Sequence, residues 1–247
     1  ADWTFLGSKE TFWLNESNPN VTPGKAAYQA NVYSFDVATN NTDILYCGTE
    51  TGFVNKSIDK GASWSHMGWD YNFGGGITEV AIDHTDENIV YVSGGKQVHK
   101  TTDGGLTWSP LLSGSDRFGA DKMEIDKSEN NNIYAASSDG LFVSTNAGME
   151  WTKTHNARTY DVHQHPTDVN IVYGLSTTNG NFRLVVSNDG GQTFSNETSF
   201  PQDIIDVSGG LLAVSNASPN SIFCVMLSAN ETPLLYKGNI ETAEWNL

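Results

Sequence analysis

The chain has 247 residues, enough to bury a sizeable core as two ordinary domains or one large all-β domain, and it carries 29 Asp+Glu against 13 Lys+Arg, a formal charge of −16. A surface this acidic repels phosphate backbones and disfavours nucleic-acid binding, and no apolar run reaches the length of a membrane span. With 24 Gly, 7 Trp, 9 Tyr and 11 Phe, and no long Ala/Leu/Glu/Lys stretch at helical spacing, the composition fits short strands joined by polar turns, and two cysteines exclude a disulfide framework.

In chain order, residues 1–29 read as an outer strand, W-T-F-L-G (Trp3 to Gly7), followed by a long loop. Ala1-Asp2 suits a mature N-terminus left by signal cleavage, in keeping with a secreted bacterial protein. From residue 30 a repeat takes over, in units of about 30–68, 69–112, 113–155, 156–196 and 197–247. Each unit has a short apolar strand, such as V-A-I-D (Val80 to Asp83) or M-E-I-D (Met123 to Asp126). Next comes an N-I-x-Y-like strand: D-I-L-Y-C-G from Asp43, N-I-V-Y-V-S from Asn88, N-I-Y-A-A-S from Asn132, N-I-V-Y-G-L from Asn170 and S-I-F-C-V-M from Ser221. A third strand leads into a polar box and an outer strand. Four short strands in about 43 residues predict a β-propeller blade.

The box recurs at Ser57 to Trp64, Thr101 to Trp108, Ser144 to Trp151 and Ser187 to Phe194, its starts 44, 43 and 43 residues apart. Its fixed positions are Ser57, Asp59, Gly61 and Trp64; Thr101, Asp103, Gly105 and Trp108; Ser144, Asn146, Gly148 and Trp151; and Ser187, Asp189, Gly191 and Phe194. A fifth copy, Gly238 to Trp245, has lost the Asp and Gly but keeps the Trp. We read the box as the tight turn between a blade's third and fourth strands. Its Asp accepts backbone N–H groups, its Gly supplies a positive φ, its hydroxyls tie the strand ends together and its Trp buries a large face. Calcium needs six or more convergent oxygens, which one Asp per blade does not supply, so no metal and no cofactor is expected.

These boxes resemble the Asp-box, or bacterial neuraminidase, repeat of sialidase-like and sortilin-like propellers, and the chain looks most like propeller modules of secreted or surface-displayed bacterial proteins, including cargo of type IX secretion. The resemblance covers about residues 30–247 and implies boxes on the outer rim, on the face opposite the usual ligand site. The fifth unit begins its own outer strand at Trp245, which leaves Trp3 to Gly7 over. The ring is therefore expected to be incomplete, part of a larger propeller with further blades in a larger multidomain chain; the alternative is that the Trp3 strand replaces a truncated one and five blades close.

Ligand-binding candidates lie in the loops opposite the boxes. In H-M-G-W-D-Y-N-F-G-G-G (His66 to Gly76), Trp69 and Tyr71 alternate with Asp70 and Asn72, aromatic faces beside polar groups as sugar binding uses; equally, these aromatics plug the gap between blades. The matching loops, Ser113 to Ala120 and His155 to Tyr160, hold Arg117, His155, Arg158 and Tyr160. Two of the chain's three arginines at matching places could hold a carboxylate, or each pairs with a nearby Asp such as Asp116 or Asp161. His163 and His165 share a strand face without a visible third metal ligand, and His165 occupies the strand-end slot of Asp83 and Asp126. Cys47 and Cys224 are expected to be unpaired, on equivalent strands but one register apart and so on opposite faces.

The sialidase mechanism does not carry over. The nearest match to its F/Y-R-I/L-P motif is F-R-L-V (Phe182 to Val185), without the Pro and on a third strand, which leaves no arginine triad and no catalytic set. Three readings remain: a secreted or cell-surface non-catalytic module binding glycans or protein partners; a glycoside hydrolase or lyase with two facing carboxylates; and a scaffold or secretion-associated assembly module.

Overall fold

The computed structural model describes residues 31–111, 117–206, 208–227 and 233–247; the Trp3 to Gly7 strand lies outside them, as do Ser113 to Asp116 of the Ser113 to Ala120 loop. The described residues contain strands and turns and no helix. The twenty strands are β1 (Val32–Val37), β2 (Leu45–Thr49), β3 (Val54–Ser57), β4 (Ser65–Met67), β5 (Ile77–Ile82), β6 (Val90–Gly94), β7 (Gln97–Thr101), β8 (Ser109–Pro110), β9 (Ala120–Ile125), β10 (Ile133–Ser137), β11 (Gly140–Ser144), β12 (Thr152–His155), β13 (Thr159–Gln164), β14 (Val172–Thr178), β15 (Asn181–Ser187), β16 (Ser195–Asn196), β17 (Gly210–Val214), β18 (Ser221–Leu227), β19 (Pro233–Asn239) and β20 (Glu244–Asn246). They form five four-stranded antiparallel sheets, each in chain order. This is the all-β, bladed architecture the repeat predicts. The inner strands pack in series, β1 on β5, β5 on β9, β9 on β13 and β13 on β17, and the ring stays open between β17 and β1.

The N-I-x-Y strands β6 and β10 are buried at every residue because blades cover both faces, which is why they read as continuous apolar runs. The outer strands β8 and β16 are two residues long and exposed. Along each second strand, alternate side chains serve opposite neighbours. Val90 and Val92 pack back on the first blade with Val80 and Ile82, whereas Tyr91 points forward and its hydroxyl donates to the Ala147 carbonyl, 3.4 Å away in the next blade's box. Tyr134 likewise donates to Gly190 O at 3.4 Å, and Tyr46 to Glu87 O at 3.3 Å.

Within each box the hydrogen bonds are local. Asp103 Oδ1 accepts the Thr107 N–H at 2.9 Å and the Thr101 hydroxyl at 2.8 Å, and Thr101 Oγ1 accepts the Gly105 N–H at 3.0 Å. Asp59 and Asp189 repeat the pattern, and Asn146 replaces the carboxylate while still accepting Glu150 N at 2.8 Å. Trp64, Trp108 and Trp151 each donate their indole N–H to the box glycine's carbonyl at 2.9–3.1 Å. Gly61, Gly105, Gly148 and Gly191 all have φ between 84° and 92°. At Gly191 a second constraint operates, since a Cβ would lie 2.7 Å from the Tyr134 ring of the preceding blade. The box is thus also an inter-blade contact.

Inner strands are laced by side chains that accept the next blade's amides: Ser34 from Val80, Asp36 from Ile82, Glu124 from Gln164 and Asp161 from Leu212, at 2.7–3.2 Å. His165 takes the role its alignment implies. Its Nδ1 accepts Thr167 N at 3.2 Å and Asp168 N at 3.0 Å, as Asp83 accepts Thr85 N and Asp126 accepts Ser128 N.

One register differs from the sequence reading. Phe223 pairs with Ala213 as Tyr46 pairs with Asp36, so Cys224 and Cys47 occupy equivalent positions and face the same side of their blades, which for Cys224 is the side packed on the fourth blade. The fifth unit has one residue fewer before its aromatic, as the third does, which shifts the alignment by one. Both thiols are free and buried.

Candidate functional site

Within a meander, the β2–β3 turn and the connection from β4 to β5 leave the same end of the blade, opposite the boxes. The connection begins with a turn in which Gly68 O accepts Tyr71 N at 2.9 Å. Its aromatics then separate. Phe73 is buried, edge-on to Trp108 (centroids 5.2 Å apart) and to His99 (5.3 Å). Tyr71 lies against Phe73, with its hydroxyl 2.8 Å from His99 Nδ1. Burial pushes the Tyr71 phenol up and the His99 imidazole down, so both stay neutral around pH 7. Phe73 and Tyr71 therefore close the gap between the first two blades. Trp69 does not; it is 78% exposed and touches the edge of His66, which meets Phe53 in turn.

Trp69, Asp70, Tyr71 and Asn72 line a cleft of about 320 Å³ whose opposite wall is Thr51 to Phe53. Asp70 is exposed, and Asn72 holds the loop by accepting Gly74 N at 2.8 Å. One exposed indole, one carboxylate and one amide thus border the cleft.

A second groove, about 240 Å³, lies between the second and third blades and is lined by Lys96, Arg117, Asp121 and Asp139. Phe118 closes its floor, stacked on Phe142 at 4.0 Å, as Phe73 closes the gap before it. Arg158 reaches Asp121 at 3.5 Å and lies 4.3 Å over the Tyr160 ring. Both ion-pair partners are about 40% exposed, so the pair contributes little to stability. Tyr160 donates to Asp206 at 2.6 Å; burial, then that bond, pushes its phenol up to about 12. His155 Nε2 lies 3.0 Å from Ser176 Oγ, whose hydroxyl donates to Arg158 O at 2.7 Å. Burial lowers the His155 pKa.

The eight ligand-binding candidates thus do not form one site: Trp69 to Asn72 line the cleft, Arg117 lines the groove and Arg158 reaches its Asp121, whereas His155 bonds Ser176 and Tyr160 bonds Asp206, outside the groove's lining. Arg158 pairs with Asp121, which lines the groove together with Arg117 and which the sequence reading did not single out; it stands on an inner strand where Asp and Glu recur for structural reasons. Lys96 was also missed, although G-G-K marks a tight turn, and Lys96 has φ 60°. Arg183 lies on the third strand β15 and donates to Phe182 O and Gln202 O. Deeper in, His163 sits 2.6 Å from Glu124 and 3.5 Å from Asp161. Burial alone would lower its pKa, but these two carboxylates outweigh it and hold it at about 9. Among the described residues, no group of three or more His, Cys, Asp or Glu side chains is placed to hold a metal. No described helix is long and apolar enough to cross a membrane.

No family model and no curated protein matches the chain. Solved structures do match over most of its length. One is the GH74 xyloglucanase from Xanthomonas campestris, at 15% identity and TM-score 0.71, covering 88% of this chain and 37% of that one. Another is an ancestral GH74 enzyme, at 17% identity and TM-score 0.70, covering 88% and 31%. YCF48 from Cyanidioschyzon merolae matches at 14% identity and TM-score 0.59, covering 86% and 73%, and YCF48 bound to D1 peptide at 13% and 0.63, covering 91% and 69%. The chain thus spans about a third of the GH74 chains. Identities this low carry the fold alone, and with five four-stranded blades packed in series the conclusion is that this chain is a β-propeller.

Proposed function

We propose that the chain is a non-catalytic binding module of a secreted or cell-surface protein, of the Asp-box propeller kind, and that the cleft beside Trp69 takes a sugar ring of an extracellular polysaccharide. The observation that carries this reading is Trp69 itself: its neighbours Phe73 and Tyr71 are used in packing, while it stays 78% exposed on the cleft wall beside Asp70. An indole face stacks on the apolar C–H face of a sugar, and a carboxylate accepts from its hydroxyls. The likeness to a xyloglucanase is compatible with a sugar ligand but carries only the fold. A hydrolase would need a second carboxylate facing Asp70 across the sugar, and the cleft wall from Thr51 to Phe53 and Asn72 to Gly75 offers none.

The test is a glycan array probed with the protein and with Trp69→Ala. Binding of a defined sugar class by the wild type, lost in the folded variant, supports the reading. Equal binding by both, or none by either, overturns it, and release of reducing ends from the bound sugar would turn binder into hydrolase. The second groove favours a protein-partner reading, because Lys96 and Arg117 place two cations beside a −16 chain's top face and one structural neighbour carries a peptide. An Arg117→Ala variant that loses a partner peptide while keeping the sugar would separate the two.

A further inference from the structure

The cleft beside Trp69 has a sign as well as a shape. Of the residues lining it, Asp70 alone is ionised; the others are aromatic, hydroxyl, amide or glycine. Asp70 is exposed, and among the described residues its carboxylate has neither a salt bridge nor a hydrogen bond. Phe53 and Trp69, on facing walls, are 49% and 78% exposed. His66 lies edge-on to both, with ring centroids 4.8 Å and 4.4 Å away. Burial holds the His66 imidazole below its ordinary value, so around pH 7 that ring brings no positive charge to the cleft.

Elsewhere the chain sets its own cations over its rings. Lys100 Nζ lies 5.0 Å from the centroid of Tyr91, Lys56 Nζ 5.1 Å from that of Tyr46, and the Arg158 guanidinium 4.3 Å over Tyr160. Trp69 has no such partner among the described residues, although indole is the ring that attracts a cation most strongly. An exposed indole face and an unpaired carboxylate thus stand next to each other in the chain, and each lacks the cation it would draw. The charge of −16 acts in the same direction, concentrating cationic polymers at the surface and repelling sulfated or uronic-acid ones.

We infer that the sugar taken by this cleft is an amino sugar with a free amine, a glucosamine-type unit of a deacetylated polysaccharide, its ammonium against Asp70 and its C–H face on Trp69. This rests on the sugar reading above and names the class of sugar. The ammonium gains from the carboxylate and from the indole; each gain is modest at an exposed site, and together they amount to about tenfold in affinity. A lysine of a partner protein offers the same charge. Recognition of a bare alkylammonium, however, encloses it between several ring faces. Here Tyr71 is committed to His99 and Phe73 to Trp108, so the cleft is an open trough with one broad face, which suits a ring.

The test is titration calorimetry at low salt and about pH 6, where an amine of this kind is charged. The probes are glucosamine oligomers, their N-acetylated counterparts and galacturonate oligomers of equal length. The glucosamine series is expected to bind about tenfold tighter than the acetylated one, and the galacturonate series not measurably. Asp70→Asn should cut the preference for the free amine to about twofold or less, and Trp69→Ala should abolish binding of both glucosamine series. Glu150→Gln, which removes an equal charge at an exposed position in the third box, should keep the preference. A preference lost equally in Glu150→Gln would trace to net charge and overturn the assignment to the cleft. Trp69-dependent binding confined to neutral sugars overturns the amine and leaves the sugar site standing; no Trp69-dependent binding of any sugar takes both down. Asp70-dependent binding of a lysine-rich peptide in place of the amino sugar overturns the class of ligand.

Discussion

Asp103 shows how one carboxylate organises a turn. It accepts two hydroxyls and an amide, and those bonds, the Thr107 hydroxyl first, hold its pKa at about 2, as they do for Asp189 with Thr193. A carboxylate depressed from the usual value of about 3.9 adds stability above that pH and loses it as pH falls toward 2. Asn146 fills the same slot in the third box and keeps the amide bond, so Asp103→Asn is expected to fold, to lose little at pH 7, and to show a flatter loss of stability between about pH 4 and 2. Urea midpoints at pH 7 and about 3 check this; an unchanged acid slope would refute it. His163 has the opposite sign. Its pKa is raised to about 9 by Asp161 and Glu124, so its contribution is complete below its unfolded pKa of about 6.5 and disappears as pH rises through 9. His163→Gln removes the cation that sits between Asp161 and Glu124, leaving Glu124 its ion pair with Lys127 at 3.2 Å, and should cost about 3 kcal/mol at pH 6, with the gap to wild type closing toward pH 10.

The strand-to-strand turn is the element in which sequence and structure agree most closely, because its constraints are local. The spacing Ser57, Asp59, Gly61, Trp64 could be read without the fold, since each residue bonds another in the same eight. The inter-blade constraint was not legible there: nothing in S-N-D-G-G-Q-T-F says that Gly191 lies under Tyr134, 57 residues earlier. The two glycines of that box separate the effects. Gly190 has φ 70° with open space around it, and the matching position in the third box is already Ala147 at φ 57°. Gly190→Ala should therefore cost only about 1 kcal/mol, the ordinary left-handed penalty. Gly191→Ala adds a clash with a buried ring and should cost about 3 kcal/mol or more. Equal midpoints for the two variants would show that the box is a turn and nothing else. The candidate site was legible only in part, for a related reason. Alternating aromatics marked the 66–76 loop, but which ring plugs the gap and which faces water depends on His99 and Trp108 in the next blade. Likewise, Cys224 was placed one register off because apolar strands align equally well in either frame until a cross-strand partner fixes them.

At the scale of the whole molecule, a propeller is close to one-dimensional, each blade stabilised by its neighbours through a repeated interface. The strength of the coupling then resides in a few bonds near the channel. Asp161 is buried; Oδ2 accepts Leu212 N at 2.7 Å across the last interface, Oδ1 accepts Val162 N at 2.9 Å, and His163 lies beside it. Asp161→Ala leaves the Leu212 donor buried without its acceptor and removes one of the two carboxylates that hold His163 charged, a loss of about 3 kcal/mol. Because only β13 and β17 lose their lacing, that loss should be local. In native-state hydrogen exchange, amides of β17 to β20 are expected to exchange through a separate, cheaper opening, while β5 to β12 keep their wild-type protection. A uniform fall in protection across all five blades would mean that the sheets unfold as one cooperative unit and that the lacing does not partition the ring.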